Sequence, residues 1–260
     1  MFTMKVTFDL RKSVPDNAKA YYERAKKLRG KIPGLERAMQ ESRRKMGSLR
    51  FESQQEVQPQ LRKKTERKWY EKFRWFESAQ GNLVLGGRDA TTNEMLIKKH
   101  TEPRDLVFHA DIAGAPFFIL KNPTGEPVPD ELKAQVAQAA ASYSRAWAQG
   151  SGAQDVYEVD PEQVSKSAPA GEFLTKGAFM VYGQKRWHRK MELKVAVGSV
   201  DGAIIGGPVE SVSAKTKEYV IVAPGDIPQG ALAKKIRERL GGELDDIQRF
   251  LPPGPGRLAK

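Results

Sequence analysis

Apolar and small residues recur every three or four positions near the start of the chain, at Ala18, Tyr21, Ala25, Leu28, Ile32, Leu35, Met39, Ser42, Met46 and Leu49. This is the a/d rhythm of heptads, and it predicts a long helix with a coiled-coil seam. Ser13 or Asp16 can cap its start, and Pro15 suits a first turn. Gly30, Pro33 and Gly34 interrupt the helix, but the heptad phase continues beyond them, so a bend is expected rather than an end. The rhythm fades between Glu52 and Gln60. A second basic helix is predicted from Gln60 to Phe76, folding back on the first as an antiparallel hairpin. The cluster Trp69, Tyr70, Phe73, Trp75 and Phe76 would plug that hairpin into the rest of the chain.

From Gly81 the period shortens to that of strands. Asn82 to Gly87 and Glu94 to His100 flank a polar loop, Arg88 to Asn93, and predict a β-hairpin. Further strands are expected at Leu106 to Ile112, Ala115 to Lys121, Val156 to Val159, Ala178 to Tyr182 and Leu193 to Val197. A helix opens at Asp130, buries Leu132, Val136, Ala139, Ala140, Tyr143 and Trp147, and stops at Gly150. Near the C-terminus, Ala203 to Pro208 and Tyr219 to Ala223 are strand-like. Helices follow from Pro228 to Leu240 and around Leu244, Ile247 and Phe250, and the Pro252 to Gly256 run frees the terminus. Strands mixed with unevenly placed helices indicate an α+β fold. The expected organisation is a basic coiled-coil hairpin over 1–66, a mixed α+β domain over 67–200 and a small αβ extension over 201–260.

Charge sharpens this picture. The 260 residues carry 44 Lys+Arg against 32 Asp+Glu, a net of +12. Residues 1–76 hold 21 Lys+Arg against 9 Asp+Glu, while residues 77–260 hold 23 of each. The whole excess therefore sits on the first third, a basic arm of the kind that meets nucleic acid or acidic surfaces. There is no cysteine, which excludes disulfide scaffolds, thiolate metal sites and cysteine nucleophiles. The longest uncharged apolar run, around Ile112 to Leu120, falls far short of the ~20 residues a membrane helix needs. A cytoplasmic protein without membrane contact is expected.

Candidate chemistry is sparse. His100, His109 and His188 show no metal-ligand spacing, and no metal or cofactor is expected. Gly86-Gly87-Arg88-Asp89 lacks the Gly-Lys-Ser/Thr ending of a phosphate loop, and no helix is expected after it. His109 and Asp111 share a strand face, an arrangement open to acid–base work or to a simple orienting hydrogen bond. Nucleic-acid features are stronger. Ser165-Lys166 begins a flexible polar loop suited to phosphate contacts. Lys185, Arg186, Trp187, His188, Arg189 and Lys190 interleave cations with rings, which suits phosphate neutralisation and base stacking. Arg88 at a turn can form bidentate phosphate bonds, with Asp89 and Asn93 beside it.

Several of these segments resemble the NFACT-R domain of the ribosome-quality-control family to which NEMF and RqcH belong. They are Lys68-Trp-Tyr-Glu-Lys-Phe-Arg-Trp-Phe76, Gly87-Arg-Asp-Ala-Thr-Thr-Asn-Glu94, Asp105-Leu-Val-Phe-His-Ala-Asp111, Asn122-Pro-Thr-Gly125, Ser165-Lys-Ser-Ala-Pro-Ala-Gly-Glu172 and Gly177-Ala-Phe-Met-Val-Tyr-Gly183. The heptads resemble the family's middle coiled coil, and the tail from Pro224-Gly225-Asp226 to Leu251-Pro-Pro-Gly254 is similar to its archaeal branch. The resemblance implies an RNA-binding domain working with a large ribosomal subunit and tRNA. No match to the family's N-terminal NFACT-N domain is present, so either an archaeal-like natural short form or a C-terminal fragment is expected, and tailing activity is not carried over.

The leading expectation is a non-enzymatic protein that binds rRNA or tRNA, with DNA binding left open. Its candidate contacts are Arg88, Asp89, Asn93, His109, Ser165, Lys166, Lys185, Arg186, Trp187, Arg189 and Lys190. Two alternatives stay open: a nucleic-acid processing enzyme using His109 and Asp111, and an interaction scaffold that dimerises or recruits a partner through the heptads.

Overall fold

A computed structural model describes residues 7–55, 68–167 and 174–259. The chain divides into two compact units, Met1–Thr65 and Glu66–Lys260.

Among the described residues of the first unit the helix is α1 (Val14–Gln55), which runs through Gly30, Pro33 and Gly34 without interruption. Ser13 accepts a hydrogen bond from the Asp16 amide (3.3 Å) at its start, as an N-cap does. Among the described residues the heptad stripe of Leu28, Ile32, Leu35 and Met39 is exposed. The expected return helix fails where it can be followed. Residues 56–67 lie outside the described residues, Trp69–Lys72 is a single 3-10 turn, and Arg74–Glu77 is a strand. The aromatics of this stretch alternate across a sheet rather than lining a helix: Phe73 and Phe76 are buried, and they belong to different core clusters.

The second unit is built on a six-stranded antiparallel sheet. Its strands are β1 (Arg74–Glu77), β2 (Leu83–Gly86), β3 (Leu106–Ala110), β4 (Phe117–Leu120), β5 (Ala153–Val159) and β8 (Arg186–Glu192), in the order β1-β2-β4-β3-β5-β8. Strand side chains alternate between faces, and here both faces are covered. On one face Phe108, Ala110, Phe118 and Leu120 pack with Leu132, Val136 and Ala140 of helix α3 (Asp130–Ser142). On the other, Val107, Phe117 and Ile119 pack with Leu96 of helix α2 (Ala90–His100) and with Tyr70 and Phe73. Burial on both sides explains the uninterrupted Phe117-Phe-Ile-Leu120 run. The helix expected from Asp130 to Gly150 breaks at Tyr143, and a short helix, α4 (Arg145–Ala148), restarts with the Ser144 hydroxyl as its cap.

A two-stranded ribbon, β6 (Val164–Ser165) with β7 (Met180–Val181), adds to the α2 side. A second sheet, in the order β10-β9-β11-β12, comprises β9 (Val195–Val200), β10 (Ala203–Gly207), β11 (Tyr219–Ile227) and β12 (Gly256–Ala259). It carries helices α5 (Val209–Ser213), α6 (Gln229–Leu240) and α7 (Leu244–Phe250). Val195, Val197, Val222, Ile236, Ile247 and Phe250 join the α3-side core, so the two sheets share one apolar interior. The terminus is not free: Gly256–Ala259 pairs with β11.

One departure bears on the site. The segment read as the second strand of a hairpin, Glu94 to His100, belongs to α2. Asp89 caps that helix by accepting from the Thr92 amide (2.8 Å), and the Thr92 hydroxyl accepts from the Arg88 and Asp89 amides (2.9 Å each). These reciprocal bonds satisfy amide groups that a helix start would otherwise orphan. Arg88 therefore stands at a strand-to-helix junction rather than a hairpin turn, and a helix does follow the Gly86-Gly87 pair.

Candidate functional site

The α2 start, the turn between β3 and β4, the α4 start and the segment before β7 surround a cleft of about 660 Å³. Asn93 joins three of the walls. Its amide nitrogen donates to the Gly177 carbonyl (2.8 Å), and its side-chain oxygen accepts from the Phe117 amide (2.9 Å). Glu94, next to it, accepts from the Gly177 amide (3.0 Å) and from Lys166 Nζ (3.3 Å). Lys98, the Gly177 amide and Lys166 together hold the Glu94 carboxyl at about 2. Gly177 has φ +80°, and a Cβ there would stand 2.7 Å from the Ala90 backbone, so only glycine allows this approach.

Four cations line the cleft: Arg74 from β1, Arg88 before α2, Arg145 at the start of α4, and Lys176. None has a carboxylate partner within salt-bridge distance among the described residues. Arg74 is half-buried, with its guanidinium 4.5 Å from the Tyr143 ring centre, and burial followed by the Arg88 charge depresses its pKa. Arg145 lies against Gly114, where φ is +76° and a Cβ would meet the guanidinium carbon at 2.8 Å. The one carboxylate lining the cleft among the described residues, Asp89, is turned to the α2 cap.

A row of rings leads out of the cleft across four neighbouring strands. Phe117 is opposite His109, His109 opposite Tyr157, and Tyr157 opposite Trp187. Successive ring centres lie 4.4, 5.5 and 5.7 Å apart. The row rises to the surface, from Phe117 at 3% exposed to Trp187 at 38%. Lys185 sits 4.0 Å from the Tyr157 ring and 5.7 Å from that of Trp187, and Arg189 sits 4.0 Å from Trp187. The segment read as a cationic loop is largely an edge strand, β8, whose alternation collects Lys185, Trp187 and Arg189 on one face.

The opposite face of β8 is spent on the fold. Arg186 binds Glu158 (2.8 Å) and Asp160 (2.7 Å), and His188 meets Glu158 at 3.1 Å. Burial pushes the Glu158 carboxyl up, but His188, Arg186 and Lys133 outweigh it and the net shift is downward. Arg189 binds Asp155 (2.7 Å), while the Lys190 amide donates to the same carboxylate at a bulge where Lys190 takes φ 52°. Lys166 is occupied by Glu94 and by the Thr175 and Ala178 carbonyls (3.0 Å each), and the Ser165 hydroxyl accepts from the Ser167 amide.

His109 has both ring nitrogens engaged. Its Nε2 lies 3.1 Å from the Ala115 carbonyl and its Nδ1 lies 3.2 Å from the Tyr157 hydroxyl. With Nε2 donating and Nδ1 accepting, the neutral ring satisfies both partners. Burial pushes its pKa down to about 4 and that of Tyr157 up to about 12. Asp111 is not among its hydrogen-bond partners.

The structure thus brings Arg88, His109, Lys185, Trp187 and Arg189 to one face. It turns Asp89, Asn93, Ser165, Lys166 and Arg186 to structural bonds. Arg74, Arg145, Lys176 and Tyr157 are cleft residues that sequence reasoning missed.

The family described as NFACT protein RNA binding domain matches residues 72–183. The archaeal Rqc2 homolog aRqcH of Methanocaldococcus jannaschii is 41% identical over 210 residues, covering 77% of this chain and 31% of that protein. The ribosome quality control complex subunit NEMF of Mus musculus is 31% identical over 258 residues, covering 89% of this chain and 23% of its own length. The chain thus spans less than a third of either relative. Among solved structures, the C-terminal part of the fibronectin/fibrinogen-binding protein from Streptococcus suis aligns with a TM-score of 0.39 and 19% identity, over 68% of this chain and 76% of that one. Over residues 72–183 the chain carries the NFACT protein RNA binding domain, and it belongs with the archaeal and animal relatives to the NFACT-R family.

Proposed function

We propose that this protein is a non-enzymatic RNA-binding factor of ribosome quality control that docks on rRNA of the large subunit or on tRNA. The observation that carries the reading is the continuity of one face: cleft cations with no carboxylate partner among the described residues lead to a row of rings ending in Trp187, flanked by Lys185 and by Arg189, which also binds Asp155. Cations neutralise phosphates, and exposed rings stack on unpaired bases regardless of sequence. The names of the relatives supply the ribosomal setting. A neutral His109 with both nitrogens engaged favours binding over catalysis.

Equilibrium binding to tRNA and to large-subunit rRNA, measured over a range of salt, tests this. Affinity should fall with a log–log slope of about −0.7 for each single-strand phosphate neutralised. The double variant Lys185→Glu/Arg189→Glu should weaken binding at least about tenfold, because two attractive contacts become repulsive. Unchanged affinity in that variant, or a salt-independent interaction, overturns the reading. Cleavage of end-labelled tRNA by the purified protein, lost in His109→Ala, would return the enzyme alternative. A DNA strand of the same sequence, used as competitor, reads whether the 2′-hydroxyl contributes.

A further inference from the structure

We propose that the cleft between β1, α2 and α4 is a receptor for a terminal phosphomonoester, so that it takes the end of an RNA strand rather than its interior. The proposal deepens the RNA-binding reading and rests on it for the source of the ligand.

Charge is the first ground. Several cations elsewhere in this unit are matched: Lys121 to Asp105 at 2.6 Å, Arg186 to Glu158 and Asp160, Arg189 to Asp155 and Lys166 to Glu94. Others among the described residues, such as Lys99 and Lys217, stand singly at the exposed surface. In the cleft Arg74, Arg88, Arg145 and Lys176 converge with no such partner among the described residues. Drawing a guanidinium such as Arg74 partly out of water without a counter-charge is costly. A ligand anion removes that cost. An internal phosphodiester carries one negative charge, whereas a phosphomonoester carries about −1.5 to −2 at neutral pH. The more highly charged group suits four converging cations better.

Depth is the second ground. Arg88, Arg145 and Lys176 are exposed, while Arg74 is half-buried against Tyr143. A strand crossing the surface meets the exposed cations, and only a chain end can reach inward to Arg74. Size and lining are the third. About 660 Å³ lies within the usual range for a small-molecule site, and Pro116 and Phe179 provide an apolar wall for a base. From there the row of rings leads to Trp187, which gives the following nucleotides a path.

The test uses the full chain and one short RNA sequence in three forms: 5′-phosphate, 3′-phosphate, or hydroxyl at both ends. Fluorescence anisotropy at fixed ionic strength should show one phosphorylated form binding at least about tenfold tighter than the hydroxyl form, about 1.4 kcal/mol. Arg145→Gln, at an exposed position, should remove most of that preference, and Arg74→Gln should remove it as well. Lys185→Glu/Arg189→Glu should weaken all three forms while keeping their ratio. Equal affinity for phosphorylated and hydroxyl ends overturns the proposal, as does a preference that survives both arginine variants. Adenosine 5′-monophosphate distinguishes the source. If it competes as strongly as the phosphorylated oligonucleotide, the ligand is a free nucleotide and the strand-end assignment is wrong. If no RNA binds at all, the RNA-binding reading fails. In that case a thermal shift by adenosine 5′-monophosphate, absent with adenosine and lost in Arg145→Gln, would still support the phosphomonoester receptor, and no shift would overturn it too.

Discussion

A cation's residue type says little about what it is free to bind. Lys166 and Arg186 have the composition of phosphate ligands, yet both are held by carboxylates and carbonyls of their own unit. Arg74, in a segment notable for its rings, and Arg145, in a helix notable for its alanines, line the cleft and have no carboxylate partner among the described residues. His109 makes the same point for titration. Its ordinary pKa is 6.5, and burial lowers the folded value to about 4. Between those values the unfolded chain binds the extra proton, so stability falls as pH falls. The full loss is about 3 kcal/mol and is complete below pH 4. His109→Gln keeps a donor for the Ala115 carbonyl and does not titrate. Urea unfolding at pH 7.5 and near pH 4.5 should therefore show a smaller acid-side loss in this variant than in the parent. His100 is shifted in the same direction, chiefly by burial, and leaves a residual slope in both proteins.

Among elements, α2 decides whether the cleft exists. Its apolar triplet Met95-Leu96-Ile97 reads as easily as strand, and the cap at Asp89 and Thr92 settles the matter locally. Removing the cap with Asp89→Ala should cost about 1 kcal/mol, read as a shift in the urea midpoint. RNA affinity in that variant should hold or rise, since the carboxylate lost is the one that lines the cleft among the described residues. Gly177→Ala attacks the same clasp from the other side. It places a Cβ against the Ala90 backbone at a φ of +80°, and a loss of about 1–3 kcal/mol is expected. Amide exchange should show that loss first in the segment around Thr175 to Ala178, because its bonds to Asn93, Glu94 and Lys166 are what Gly177 permits.

For the whole molecule, charge and shape are divided unevenly. The basic excess lies in residues 1–76, whereas the cleft and ring row lie on a body of balanced charge. Long-range attraction should therefore come from α1 and selectivity from the cleft. Neutralising Lys26, Lys27 and Lys31 together to Gln should reduce the salt slope by about 2 while leaving the ratio between phosphorylated and hydroxyl ends intact. An unchanged slope would show that α1 does not contact phosphate.

Local pattern was enough for whatever depends on neighbours in sequence. The heptad helix, the β3 and β4 strands with their alternating faces, and the C-terminal helices α6 and α7 all follow from spacing, because a helix or strand repeats every few residues. Motif resemblance was enough for the family. The strand at β1 escaped notice because its Trp75 and Phe76 continue an apolar helical rhythm that a four-residue strand is too short to break. The cleft escaped for a different reason. Arg74, Arg88, Arg145 and Lys176 come from four separate segments, and no spacing marks them as neighbours. Only the sheet order β1-β2-β4-β3-β5-β8 and the Asn93 clasp bring them together. The sequence alone determined which residues are charged. Tertiary structure decided which charges are cancelled, since Coulomb energy depends on distance in space and on burial.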